Sequence, residues 1–157
     1  MTFTTRLDEL GITLPPVAAP VADYVPALRS GNLVHTSGQL PFIDGELPAT
    51  GKVGIGEGLV PPDAAKTLAR TAGLNAVAAA ADAAGGLDRI ARVVKVVGFV
   101  SSAPDFTGQP GVINGVSELL GEVFGEAGAH ARSAVGVAVL PLDSPVEVEI
   151  TVELIAD

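Results

Sequence analysis

The 157-residue chain has no cysteine, no tryptophan, a single tyrosine and only 9 lysines and arginines together. Without cysteine there are no disulfides, no thiolate metal sites and no cysteine nucleophile, and the composition fits the reducing cytoplasm. Aromatic residues are 4% of the chain, too few for a platform on which bases stack. The 9 cations face 18 Asp and Glu, for a formal charge of −9. That field repels a phosphate backbone and no basic stripe overrules it, so no nucleic-acid partner is expected. Long apolar runs are missing as well. Gly, Pro or a charge breaks every stretch short of the roughly 18 residues a membrane helix needs. The opening "MTFTTRLDELG" lacks the cationic-then-apolar order of a signal peptide.

What is present is small and apolar: 48% hydrophobic residues and 17% charged ones, below the usual quarter or so. A single domain of this size with so little charge leaves apolar area that needs a cover, and self-association supplies one. Residues 1–20 read as a leader, with a helical turn at Thr5–Leu10 and then an extended strap set by Pro15, Pro16 and Pro20. Residues 21–157 read as the domain itself. "DYVPALRSGNLVHTSGQLP" holds two strands joined at Ser30-Gly31-Asn32, and the glycine-rich segment 44–60 is a loop. Pro61 and Pro62 open an alanine-rich helix that Gly85-Gly86 closes. "RVVKVVGFVSS" is apolar at nearly every position, a strand with both faces covered. A second helix spans about 112–126, and two strands follow, Ser133–Leu140 and Val146–Leu154. The order β-β-α-β-α-β-β predicts an α+β two-layer sandwich, with helices on one face of a mixed sheet and the other face left for water or another subunit.

Candidate chemistry is sparse. The two histidines, His35 and His130, are far apart with no spaced carboxylates, which disfavours a metal site. "GKVGIGEG" matches neither phosphate-loop pattern. No G-x-S-x-G elbow occurs and no serine has an evident histidine partner. The last strand alternates strictly, with Val146, Val148, Ile150, Val152 and Leu154 inward and Glu147, Glu149, Thr151 and Glu153 outward. Glu147 differs from the other glutamates because it begins the strand. Arg132 stands at the mouth of a run whose one face is Ala134, Gly136 and Ala138, small enough to leave room for a ligand or another backbone. The short "LPLDSP" connection predicts that the last two strands pair antiparallel. Arg132 and Glu147 then lie toward opposite ends of the ladder, and a joint site needs curvature or a neighbouring chain.

Several blocks stand in the order of one family: "DYV…GNLVHTSGQLP", the alanine-rich helix, "VVKVVGFVSSAPDF", "VINGVSELLGEVF" and "ARSAVGVAVLPLDSPVEVEI". Over about residues 21–155 the chain resembles the RidA/YjgF family, reactive-intermediate deaminases also labelled L-PSP endoribonucleases or translation inhibitors. The resemblance implies a chorismate mutase-like homotrimer with clefts between subunits. It also implies cofactor-independent, metal-free hydrolysis of 2-imino acids to 2-keto acids and ammonia. Arg132 matches the family's carboxylate-binding arginine and Glu147 the glutamate that orients or activates water. Tyr24 and Asn114 match polar pocket residues, Ser37 and Gly38 a turn lining the cleft. Where the familiar deaminases carry Cys and Glu, this chain has Ala134 and Gly136, and its leader and the loops at 44–60 and 104–111 are longer than usual. The other readings are a trimer that binds a small carboxylate without turnover and, with the charge against it, a ribonuclease.

Overall fold

In the computed structural model, which describes residues 1–17, 19 and 22–156, the elements run α1 (Phe3–Leu10), β1 (Ala27–Ser30), β2 (Leu33–Thr36), α2 (Pro62–Ala84), β3 (Ile90–Ser101), α3 (Gln109–Phe124), β4 (Ala131–Val137) and β5 (Val146–Leu154). From β1 onward this is the expected β-β-α-β-α-β-β order, with the helices against one mixed five-stranded sheet. No helix among the described residues is long and apolar enough to cross a membrane.

Local chemistry sets the ends of α2. Pro61 holds an extended conformation at the N-cap, Pro62 occupies the first turn, and Gly85 turns left-handed to receive the last carbonyls. The face between these caps is mostly alanine, so α3 comes close. A Cβ on Gly115 would overlap the Lys66 carbonyl, and one on Gly73 would press on Val116 at 3.1 Å. Beneath α3, Gly98 of β3 leaves the space that Ile113 fills. These small residues place α3 at a fixed height over β3 and β4. α1 is a full helix rather than a turn, capped by Thr2 and Gly11. It packs on α3 through a Phe3–Phe124 edge contact at 4.8 Å and a bond from Arg6 Nε to the Glu122 carbonyl. Pro15 and Pro16 lie in no helix or strand, while Pro20 falls outside the described residues.

The core is one-sided. Val146, Val148, Ile150, Val152 and Leu154 of β5 are buried under the helices, each worth about 1.5–3 kcal/mol as an upper figure. The opposite face is open. There Val97 and Phe99 are only half-buried and Val135 and Leu28 are exposed, so β3 is covered on one side only within a single chain.

The strand order β1-β2-β5-β3-β4 corrects the expected hairpin of the last two strands. β4 pairs with β3 in parallel, as the α3 crossover requires, and β5 inserts antiparallel between β2 and β3. The link at 138–145 therefore arches over the end of β3 instead of turning back on itself. Ser102 N–H donates to the Val137 carbonyl and Ser101 N–H to the Pro145 carbonyl, one on each side of that strand end. Two strand spacings come to about 9.6 Å, well within the reach of such a link. The loop at 37–61 forms no regular element and braces the arch, with Gly51 N–H donating to Asp143 and Lys52 Nζ to Ala138.

Candidate active site

β4 begins at Ala131, so Arg132 lies inside the strand and not before it. Its register partner on β3 is the buried Val96, which turns its side chain toward α3. There Nη1–H donates to Asn114 Oδ1 at 2.8 Å and to Ser117 Oγ at 3.2 Å. Both hydrogens of Nη1 are thus taken by neutral acceptors. Nε–H and Nη2, which form the edge that grips a carboxylate in two parallel bonds, have no partner among the described residues. Nor does Arg132 meet a carboxylate among the described residues, although acidic residues outnumber basic ones two to one. A half-buried cation held in place but not neutralised is a ready anion site.

Continuing along the same face, Ala134 lies opposite Gly98 and Gly136 opposite Val100. The space at Gly136 is not empty. A Cβ there would lie 2.7 Å from Gln109 Nε2 and 3.0 Å from Ser102 Oγ. Gln109 Nε2 donates to Ser102 Oγ and to the Phe106 carbonyl, so a neutral amide from α3 fills the space beside Gly136.

The second group of residues lies on the opposite face. Glu147 pairs in register with Phe99, three residues from Val96, and a three-residue step along a strand reverses the face. The Glu147 carboxylate rests against Gly38, where any Cβ would overlap it. No donor among the described residues reaches it. Burial, with the like charge of Glu149 second, raises its pKa above the ordinary glutamate value. Ser37 ties the segment carrying Tyr24 to this turn, its hydroxyl donating to the Val25 carbonyl at 2.6 Å and its N–H to Pro26. Tyr24 itself is exposed. One chain therefore assembles Arg132, Asn114 and Ala134 on the helix face, and Glu147, Ser37 and Gly38 at the other, with Tyr24 exposed on the segment tied to that turn. The two sets do not meet. A cleft of about 830 Å³ between the strap at 13–17, the 39–45 turn and α2 contains neither Arg132 nor Glu147.

The structure also pairs a serine with a histidine, contrary to expectation. Ser117 Oγ lies 2.9 Å from His130 Nε2, and His130 Nδ1 lies 2.6 Å from the Gly128 carbonyl. Both residues were legible through periodicity. Ser117 follows Asn114 by three on a helix and His130 precedes Arg132 by two beside a strand, spacings that put each on its neighbour's face. Spacing between the two themselves carries no such signal, because a helix end and a turn separate them.

A family model described as YjgF/chorismate mutase-like, with an endoribonuclease label, matches residues 4–154. The chain is similar to Protein TCP17 of Trypanosoma cruzi, 48% identical over 150 residues, which cover 95% of this chain and 92% of that protein. Among solved structures it is similar to Atu1372 from Agrobacterium tumefaciens, a protein of unknown function. That match has a TM-score of 0.88 and 44% identity, over 98% of this chain and 92% of the other. E. coli TdcF with bound serine matches at a TM-score of 0.64 and 25% identity, over 89% of this chain and 94% of that one.

Proposed function

Since the chain belongs to the RidA/YjgF family, we propose that it is a cofactor-independent deaminase that hydrolyses 2-imino acids to 2-keto acids and ammonia at clefts between the subunits of a homotrimer. The observation that carries this reading is the free edge of Arg132, a cation fixed by Asn114 and Ser117 and left without a counter-charge. A small 2-imino carboxylate fits that edge, and the serine bound by the related TdcF is a ligand of the same size class. The opposite-face placement of Glu147 supports a composite site, in which the Arg132 face of one copy meets the Glu147 face of another. The open apolar sheet face, with Val135 and Phe99, gives the copies a surface to share.

In such a cleft Arg132 anchors the carboxylate and presents the iminium carbon in one orientation. Water adds to that carbon as Glu147 accepts its proton, a transfer that a raised carboxyl pKa favours near neutrality. The proton passes to the nitrogen of the resulting carbinolamine. The C–N bond then breaks with its electron pair going to nitrogen, ammonia leaves, and Glu147 takes the hydroxyl proton as the oxygen becomes the keto carbonyl. Tyr24, Ser37 and Gly38 line the Glu147 side, and Asn114 and Ala134 the Arg132 side. Small residues at 134 and 136 favour one other reading, a trimer that binds a keto acid without turnover.

The test generates 2-iminopropanoate in situ and follows ammonia release, with light scattering on the same samples. A trimer that accelerates release in the parent protein but not in Arg132→Ala is the expected outcome. Background rates with keto-acid-dependent melting shifts point to the binding module instead. A monomer removes the inter-subunit cleft.

A further inference from the structure

Arg132 does not stand alone on its face, and the hydrogen-bond directions around it are determined by the chemistry of the groups. A guanidinium only donates, so Ser117 Oγ accepts from Nη1. Ser117 keeps its own proton to donate, and His130 Nε2 lies 2.9 Å from its oxygen. At the other end of the ring a backbone carbonyl only accepts, so His130 Nδ1 carries the proton that meets the Gly128 oxygen at 2.6 Å. For the ring with a single N–H these constraints allow one arrangement, the Nδ1–H tautomer with its lone pair on Nε2. Gly128 is itself held. It is buried so tightly against α3 that a Cβ would overlap the Leu120 carbonyl. The chain of contacts thus starts on the α3 backbone, passes through Gly128 and His130, returns to α3 at Ser117 and ends on the β4 guanidinium.

We infer that Ser117 and His130 are positioning residues for the carboxylate grip, a relay that pins Nη1 of Arg132 so that the Nε–Nη2 edge is aimed before ligand arrives. An unrestrained arginine must give up rotamer freedom when it binds, and a pinned one has already done so. Asn114 holds the second Nη1 hydrogen, but an amide on an exposed helix position does not by itself fix the plane of the fork. The relay supplies the second point of attachment. It also explains an otherwise idle histidine: among the described residues His130 meets no carboxylate in a salt bridge, and its partners are a hydroxyl and a carbonyl.

The inference rests on Arg132 as a carboxylate grip, and the experiment separates the two. Titration calorimetry with 2-oxobutanoate is run on the full-length assembled protein and on Arg132→Ala, Ser117→Ala, His130→Asn, His130→Gln and the Ser117→Ala/His130→Asn double variant, with melting temperatures recorded for each. Asn reaches only as far as Nδ1 and leaves Ser117 without an acceptor, whereas Gln reaches to the Nε2 position. Ser117→Ala and His130→Asn are each expected to weaken binding roughly 10-fold, the double variant no further than either, and His130→Gln to stay within about 3-fold of the parent. Where turnover is measurable the loss falls on KM and leaves kcat alone. Wild-type affinity in Ser117→Ala and His130→Asn, alongside loss in Arg132→Ala, overturns the relay but keeps the grip. Additive losses overturn it also. If Arg132→Ala binds like the parent, or the parent does not bind, the grip itself is wrong and the relay falls with it. A ligand-free check is the ¹⁵N shift pattern of the His130 ring in alkaline buffer, expected to show Nδ1–H, with an Nε2–H tautomer as the contrary result.

Discussion

On the helix face, Arg132 is held by Asn114 and Ser117 and still keeps its carboxylate-gripping edge open. On the opposite face, Glu147 is pressed against Gly38, finds no donor among the described residues, and is pushed toward its neutral form by burial and Glu149. The first group is fixed by hydrogen bonds within its own chain. The second is strained by its own chain, which suits a group that must take and give a proton. The proposed anchor and the proposed base need opposite surroundings, and one sheet offers both through its two faces.

The largest expected effect breaks the anchor side. Arg132→Ala should lower affinity for 2-oxobutanoate by about 100-fold, the cost of losing a two-pronged charged contact, as measured by calorimetry. A 3-fold change would mean that the carboxylate is bound elsewhere.

The base side should respond differently. Glu147→Gln is expected to leave keto-acid affinity near that of the parent and to cut kcat by roughly 100-fold, read from ammonia release at saturating substrate. The same variant sharpens the electrostatic contrast. Because the folded pKa of Glu147 is raised, its ionised form opposes folding as pH rises through that value, and the penalty is absent below the ordinary glutamate range. Glu147→Gln should therefore melt higher than the parent in neutral and alkaline buffer and level with it in acid. A lower melting temperature at neutral pH would mean that a cation from another copy already compensates the charge.

Gly38→Ala should reach Glu147 without touching Arg132. The backbone at 38 tolerates a side chain, but the new Cβ collides with the carboxylate. A roughly 10-fold fall in kcat with unchanged affinity is expected, for about 1 kcal/mol of stability. Equal losses in kcat and affinity would mean that the two faces are not separable. The smallest effect belongs to Gly136→Ala, where the collision is with the movable end of Gln109. Stability within about 1 kcal/mol of the parent is expected by chemical denaturation, and a collapse would show Gln109 to be rigidly built in.

Much of the fold beneath this contrast was readable beforehand, and the main exception concerns which strands are neighbours. Pro61-Pro62 and Gly85 mark the ends of the long helix because their backbone preferences are local. The alternation from Val146 to Leu154 marks which side of the last strand is buried, since a strand has only two sides. What went unread was the neighbour of each of the last two strands. The short run before Pro145 suggested a hairpin, yet β4 was already committed to β3 by the helical crossover, so β5 took the free edge on the other side. Ser117 and His130 went unpaired for the same reason: their meeting depends on where α3 sits over β4.

The amino-acid sequence by itself determined the element order, the buried face of the last strand and, through the motif around Arg132 and Glu147, the family. These follow from short-range rules of propensity, capping and period. Only the tertiary structure decided that Arg132 and Glu147 stand on opposite faces, that Gln109 fills the place beside Gly136, and that a histidine set aside for want of a partner closes a ring of bonds around the arginine. Those outcomes depend on strand order and on the close approach that Gly98 and Gly115 allow α3. They are packing solutions of the whole chain, which no local segment encodes.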